Sequence, residues 1–228
     1  MNLKKKIRSI IVLLILVIIG FTLSGCNVFS GETMVITGVS QDAWVNGNLK
    51  NNNYGDSTSL RLRYNSTDDN PWGINYFMVQ FDLSSIPSHA VINSATMKFH
   101  STSPSKMSPV GIFKNTESWE EDTVTFNNRP LFNSNPLQTL EYITNSNGKL
   151  YFTGDSTISD SDTGFLKFSG NEITTLVQSW VDGSTSNYGV SIKATGDPAS
   201  DYGNFFFGSK EWSDYAPELI INFTVTPK

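Results

Sequence analysis

Polar and apolar residues alternate with a period of two at several places along the chain, the mark of strands with one buried face. Ser59 to Tyr64 sets Leu60, Leu62 and Tyr64 against Arg61 and Arg63, and Asn75 to Phe81 sets Phe77, Val79 and Phe81 against Tyr76, Met78 and Gln80. Further on, Ala95, Met97 and Phe99 face in while Thr96, Lys98 and His100 face out. Weaker strand signals run over 34–45, 110–113, 189–194, 204–208 and 218–225. Turn chemistry separates them: Asn and Gly crowd 46–55, and prolines close 82–87 and 104–109. The period changes where Ile173, Leu176, Val177 and Trp180 fall at i, i+3, i+4 and i+7. That stripe predicts a helix, opened by Ser169-Gly170-Asn171 and stopped at Asp182-Gly183. Short strands, frequent turns and one short helix predict an all-β, jelly-roll β-sandwich.

The densest stretch, Glu117 to Pro130 (ESWEEDTVTFNNRP), reads as an apolar anchor, a short alternating strand and an Asn/Pro turn. Trp119 and Phe126 are expected in the core, and Glu120, Glu121 and Asp122 at the solvated start of the strand. Residues 133–162 read as polar and irregular.

Composition adds a compartment. Lys4, Lys5, Lys6 and Arg8 precede an apolar run from Ile10 to Phe21, too short to span a bilayer comfortably. Leu23-Ser24-Gly25 then leads into Cys26, the single cysteine. This resembles a bacterial lipobox, which implies a signal peptide over 1–25, acylation of Cys26, a tether over 26–33 and a domain over 34–228. The expected place is the cell envelope, outside the cytoplasm, with the membrane serving only as an anchor. Acyl chains gain about 0.8 kcal/mol per buried CH₂. Without residues 1–25, twelve basic side chains face 21 acidic ones, a formal charge of −9. An acidic domain argues against nucleic acid as a partner. With Cys26 acylated no disulfide remains, and about two hundred residues suffice for one β domain, expected as a monomer.

No nucleophile elbow, Walker loop or H-E-x-x-H is present, so no catalytic set is expected. Neighbouring carboxylates on one strand point to opposite faces, whereas a glycosidase pair must converge across a sugar. Binding candidates lie on outward faces: Arg61, Arg63, Gln80, Lys98 and His100 would form a polar patch if their strands adjoin. Arginine there suits a carboxylate-bearing ligand. Trp44, Trp72 and Trp212 are the candidates for stacking on sugar, Trp72 from the loop Asp69–Gly73. For metal, oxygen donors point to a structural calcium, with Asp42 and the pair Asp160 and Asp162 as candidate ligands.

The segments QDAWV, NNNYGDSTSLRLR, MVQFDLSSIPSHAVINSATMKFH, ESWEEDTVTFNNRP, ITTLVQSWVDGSTSNYGVSIKA and FFFGSKEWSDYAPELIINF, in this order, resemble the DNRLRE domain family. That family is also described as disaggregatase-related repeats and as carbohydrate-binding module family 96. The resemblance covers roughly residues 40–224. It departs at Asn75-Tyr76, where an arginine pair is usual, at Phe126, where a second Trp is usual, and before the helix, where an Asp is usual. It implies a non-catalytic β-sandwich binding extracellular polysaccharide, alginate or another uronate-containing glycan among the ligands of such modules. The other expected role is a structural or adhesion module contacting protein or cell-wall partners.

Overall fold

The computed structural model describes residues 32–64, 74–103, 109–144, 150–152, 165–196 and 203–225. Within them the chain forms an all-β sandwich with one α-helix, as the alternation predicts. The strands are β1 (Glu32–Thr37), β2 (Val39–Asn46), β3 (Ser59–Tyr64), β4 (Asn75–Phe81), β5 (Val91–Ser103), β6 (Val110–Lys114) and β7 (Gln138–Leu140). They continue as β8 (Tyr142–Thr144), β9 (Leu150–Phe152), β10 (Phe165–Ser169), β11 (Val190–Ala194), β12 (Gly203–Gly208) and β13 (Glu218–Thr224). Helix α1 (Asn171–Val181) lies between β10 and β11.

One layer runs β10-β5-β13-β1 and the other contains β2-β4-β11-β6-β7, all pairs antiparallel. The long β5 belongs to both layers. Its middle pairs with β13 and β10, while Ser101 and Ser103 pair with Phe207 and Phe206 of β12. Strand β12 then pairs with β3, which touches β4 at Arg63 and Asn75. Between the layers sit Phe77, Phe99, Phe207, Phe81 and Phe168, with ring centroids 5.3–6.4 Å apart. Such aromatic pairs add about 0.5–1.5 kcal/mol each beyond the area they bury.

Several elements differ from the sequence reading. The signal over 34–45 is two strands in different layers, broken at Gly38, and Glu32 and Thr33 of the expected tether already pair with Thr224 and Phe223. The stretch 133–162 holds β7, β8 and β9. Strand β4 is buried on both faces: Tyr76 and Met78 are as enclosed as Phe77 and Val79. The cover is the Glu117–Pro130 stretch, which is a loop of turns rather than a strand. Turn bonds run from Thr123 and Val124 N–H to Glu120 O and from Thr125 N–H to Asn128 Oδ1 at 2.6 Å, while Asn127 N–H reaches back to Lys50 O at 3.1 Å. Trp119 and Val124 are buried, and Phe126 and Phe132 meet Tyr76 edge-on at 6.2 and 5.9 Å.

Helix α1 buries the predicted stripe, Ile173, Leu176, Val177 and Trp180. Gly170 precedes it at φ 105°, where no side chain caps the helix. The helix also finishes an edge. Past the five residues of β5 that β10 covers, Thr174 Oγ1 accepts Ala95 N–H (3.2 Å), and the Gln178 amide bonds Ile92 N–H (2.8 Å) and Ala90 O (3.1 Å). Side chains thereby satisfy edge groups that would otherwise invite a foreign strand.

Candidate functional site

Two polar constellations stand out among the described residues. The first lies beside the outer edge of β2. Asp42 is fully enclosed (0 % exposed), and burial pushes its carboxyl up to about 8, opposed by the Lys210 N–H and reinforced by Glu211 and Glu121. Its Oδ2 accepts Lys210 N–H at 2.8 Å, and its own N–H donates to Glu121 Oε1 at 3.3 Å. Lys210 Nζ pairs with Glu121 Oε2 and Glu211 Oε1, each at 2.8 Å. Burial alone would lower this ammonium; the bonds to Glu121 and Glu211 hold it above its ordinary range. One carboxylate oxygen from each of Asp42, Glu121 and Glu211 lies within 4.8 Å of the others, so the three could hold a metal ion.

The loops are fixed to make this meeting possible. Asn53 Nδ2 bonds the carbonyls of Glu121 (2.6 Å) and Val124 (2.8 Å), and Gln41 bonds Trp119 O (3.0 Å) and Glu121 N–H (3.3 Å). Gly55 lies so close that a Cβ there would sit 2.5 Å from Glu121 O. Gly208 has the same role on the closing segment, where a Cβ would sit 2.2 Å from Tyr215 O.

The second constellation is a row of rings and cations on the outer face of β5 and β10. Trp212, 38 % exposed, meets Tyr215 edge-on at 4.5 Å. Tyr215 meets His100 at 4.4 Å, and His100 meets Phe165 at 4.4 Å. Lys98 Nζ lies 4.2 Å and Lys167 Nζ 5.6 Å from the Phe165 ring centre, and Lys98 also pairs with Glu218 at 3.0 Å. Cations over rings at such distances attract by about 0.5–1 kcal/mol at exposed sites.

The residues singled out from sequence are distributed as follows. Lys98 and His100 share the row with Trp212. Arg61 and Arg63 lie on β3, which is separated from β5 by β12. Arg61 rests 5.8 Å from the Trp44 ring centre and 5.1 Å from that of Phe206, with Nε bonded to Asn204 Oδ1 at 3.1 Å. Burial first, and then neighbouring Arg63, holds the Arg61 guanidinium below its ordinary range. Thr102 Oγ1 donates to Phe206 O at 3.2 Å and ties β5 to the intervening β12. Gln80 is engaged inside the fold by Asn187 O (2.9 Å) and Gln41. Trp44 is buried and stacks on Tyr54 at 3.8 Å. Cys26, Trp72, Asp160 and Asp162 lie outside the described residues. Glu121 is not at a solvated strand start: its side chain is 14 % exposed and turned into the acidic cluster, whereas Glu120 and Asp122 are exposed. Sequence reasoning missed Glu121 and Glu211 as potential ligands. Their signal was an acid within two residues of a tryptophan in three segments: Asp42 with Trp44, Glu121 with Trp119, and Glu211 with Trp212.

The described chain is thus an antiparallel β-sandwich with rings and cations displayed on an open sheet face. The family model for carbohydrate-binding module family 96 matches residues 37–223, and the chain belongs to that family. No curated protein matches the chain significantly. Families of this kind are typically non-catalytic.

Proposed function

We propose that the chain binds an extracellular polysaccharide bearing carboxylates, such as alginate or another uronate-containing glycan, without cleaving it. The observation carrying this reading is the row Trp212–Tyr215–His100–Phe165 with Lys98 and Lys167 beside it. Rings offer stacking surface to a sugar, while the lysines draw carboxylates to a domain whose net charge is otherwise negative. Arg61 and Arg63, on β3 beyond β12, are further cations in the same domain. Titration of the chain without its signal sequence against polyuronate and against a neutral glycan tests this. Saturable binding to the polyuronate is expected, weakening with salt. Trp212→Ala or His100→Ala is expected to reduce affinity by up to about tenfold. Equal affinity for both glycans, or heat from neither with folded protein, would discard the reading.

The same reading places the protein in the cell envelope, held by acylated Cys26, as a monomer without nucleic-acid partners. Cys26→Ser should move it from the membrane fraction to the soluble one. We further take the ion suited to the acidic cluster to be calcium, held structurally, because the donors there are hard carboxylate oxygens.

A second reading, a structural or adhesion module docking on protein or cell-wall partners, draws on a different part of the same layer. Met34, Ile36 and Val91 are 61 %, 57 % and 52 % exposed, and the register of β1, β13 and β5 puts them on the outer face. Pull-down by cell-wall material that survives Trp212→Ala and fails with Met34→Ser plus Ile36→Ser would favour it.

A further inference from the structure

Three segments far apart in sequence meet at the acidic cluster, and their hydrogen bonds leave one gap. Asp42 Oδ2 accepts the Lys210 N–H, but Oδ1, wholly enclosed, has no hydrogen-bond partner among the described residues. A buried carboxylate oxygen with nothing to accept from is costly in a folded protein. The Lys210 ammonium does not fill the gap, because it is bonded to Glu121 Oε2 and Glu211 Oε1. Glu121 and Glu211 also set two carboxylates against the one Lys210 ammonium, an excess of negative charge that a doubly charged ion would neutralise.

The geometry suits such an ion. Calcium holds oxygens at roughly 2.3–2.6 Å, so donors on one coordination sphere are separated by at most about 5 Å. The three carboxylate oxygens here lie within 4.8 Å of one another. Lys210 has somewhere to go: its side chain is 31 % exposed, so Nζ can swing outward while its backbone N–H stays on Asp42. The Glu211 side chain is 23 % exposed, which leaves a path for an ion and room for water to complete its shell.

We infer that Asp42, Glu121 and Glu211 form an exchange site in which calcium and the Lys210 ammonium are alternative occupants, the ion alone satisfying Asp42 Oδ1. With lysine in place, the cluster is held by two ion pairs. With the ion in place, β2, the Glu117–Pro130 loop and the Lys210–Glu211 segment share one ligand, and Lys210 is released to solvent. This inference rests on the calcium reading above, and the experiment separates the two.

The full chain, stripped with EDTA, is titrated with calcium chloride by calorimetry, and its melting temperature is followed with and without the ion. One ion per chain and a higher melting temperature are expected, with both effects lost in Asp42→Asn and in Glu211→Gln. Lys210→Met should melt lower than the native chain in EDTA and bind calcium about tenfold or more tightly, because a competing positive charge is gone. Should Asp42→Asn fail to fold, Glu211→Gln, at a partly exposed position, carries the same comparison. No binding by the native chain or by Lys210→Met would overturn both the exchange site and the calcium reading. Binding unchanged in Asp42→Asn and Glu211→Gln would overturn the site and leave calcium elsewhere. Binding that depends on these carboxylates but is unaffected by Lys210→Met would overturn the exchange alone.

Discussion

Strands β4 and β5 each have an inner face packed in the sandwich, yet their outer faces differ completely. Outward from β4 come Tyr76, Met78 and Gln80, and the Glu117–Pro130 loop lies over them with Trp119, Val124 and Phe126. Outward from β5 come Thr96, Lys98 and His100, and nothing in the described chain buries them fully. Apolar area on a second face demands a cover, while a polar face with rings at its margin can stay open to a ligand. The comparison separates where this fold holds itself together from where it can hold something else.

The largest way to break that contrast is Trp119→Ala. It deletes a buried ring whose Nε1–H donates to Tyr188 O at 3.0 Å, and should cost about 3–5 kcal/mol in urea unfolding. Next comes Asn53→Ala, which removes the bonds to Glu121 O and Val124 O. A loss of about 1–3 kcal/mol is expected from the carbonyls left unpaired, together with a weaker response to calcium. Smallest is Lys98→Ala on the open face. Its pair with Glu218 is partly exposed, so stability should change by no more than about 1 kcal/mol while polyuronate affinity falls. A Lys98→Ala protein that unfolds as readily as Trp119→Ala would erase the distinction between the two faces.

Much of the sandwich is written locally. Leu60 and Leu62, then Met97 and Phe99, alternate with polar neighbours, and the Ile173–Trp180 stripe sets the helix by its own spacing. The second burial of β4 is not local, since Tyr76 and Met78 become core only when a loop some forty residues downstream covers them. The same loop reads as a strand because Thr123-Val124-Thr125 is β-branched, but its ladder partners are replaced by Asn128 and Asn53 side chains. Asp42 was visible as a candidate ligand from its place in the first motif. Glu121 and Lys210 were not, because their bonds to Asp42 span 79 and 168 residues and follow from strand order rather than from spacing. Lys98 and His100 were visible as outward residues, while their neighbour Phe165 comes from β10, a strand the pattern did not announce.

The pairing of the first and last strands has a practical side. Glu32 lies opposite Thr224 across β1 and β13, so the outer ends of the first and last described strands lie within about one strand spacing. A short linker could join the two ends, making the domain a natural subject for circular permutation at an exposed loop away from the acidic cluster. A sensor chip or fusion enzyme attached just before Glu32 or just after Thr224 would hold the module from the same spot, so the two formats can be compared without a change of orientation.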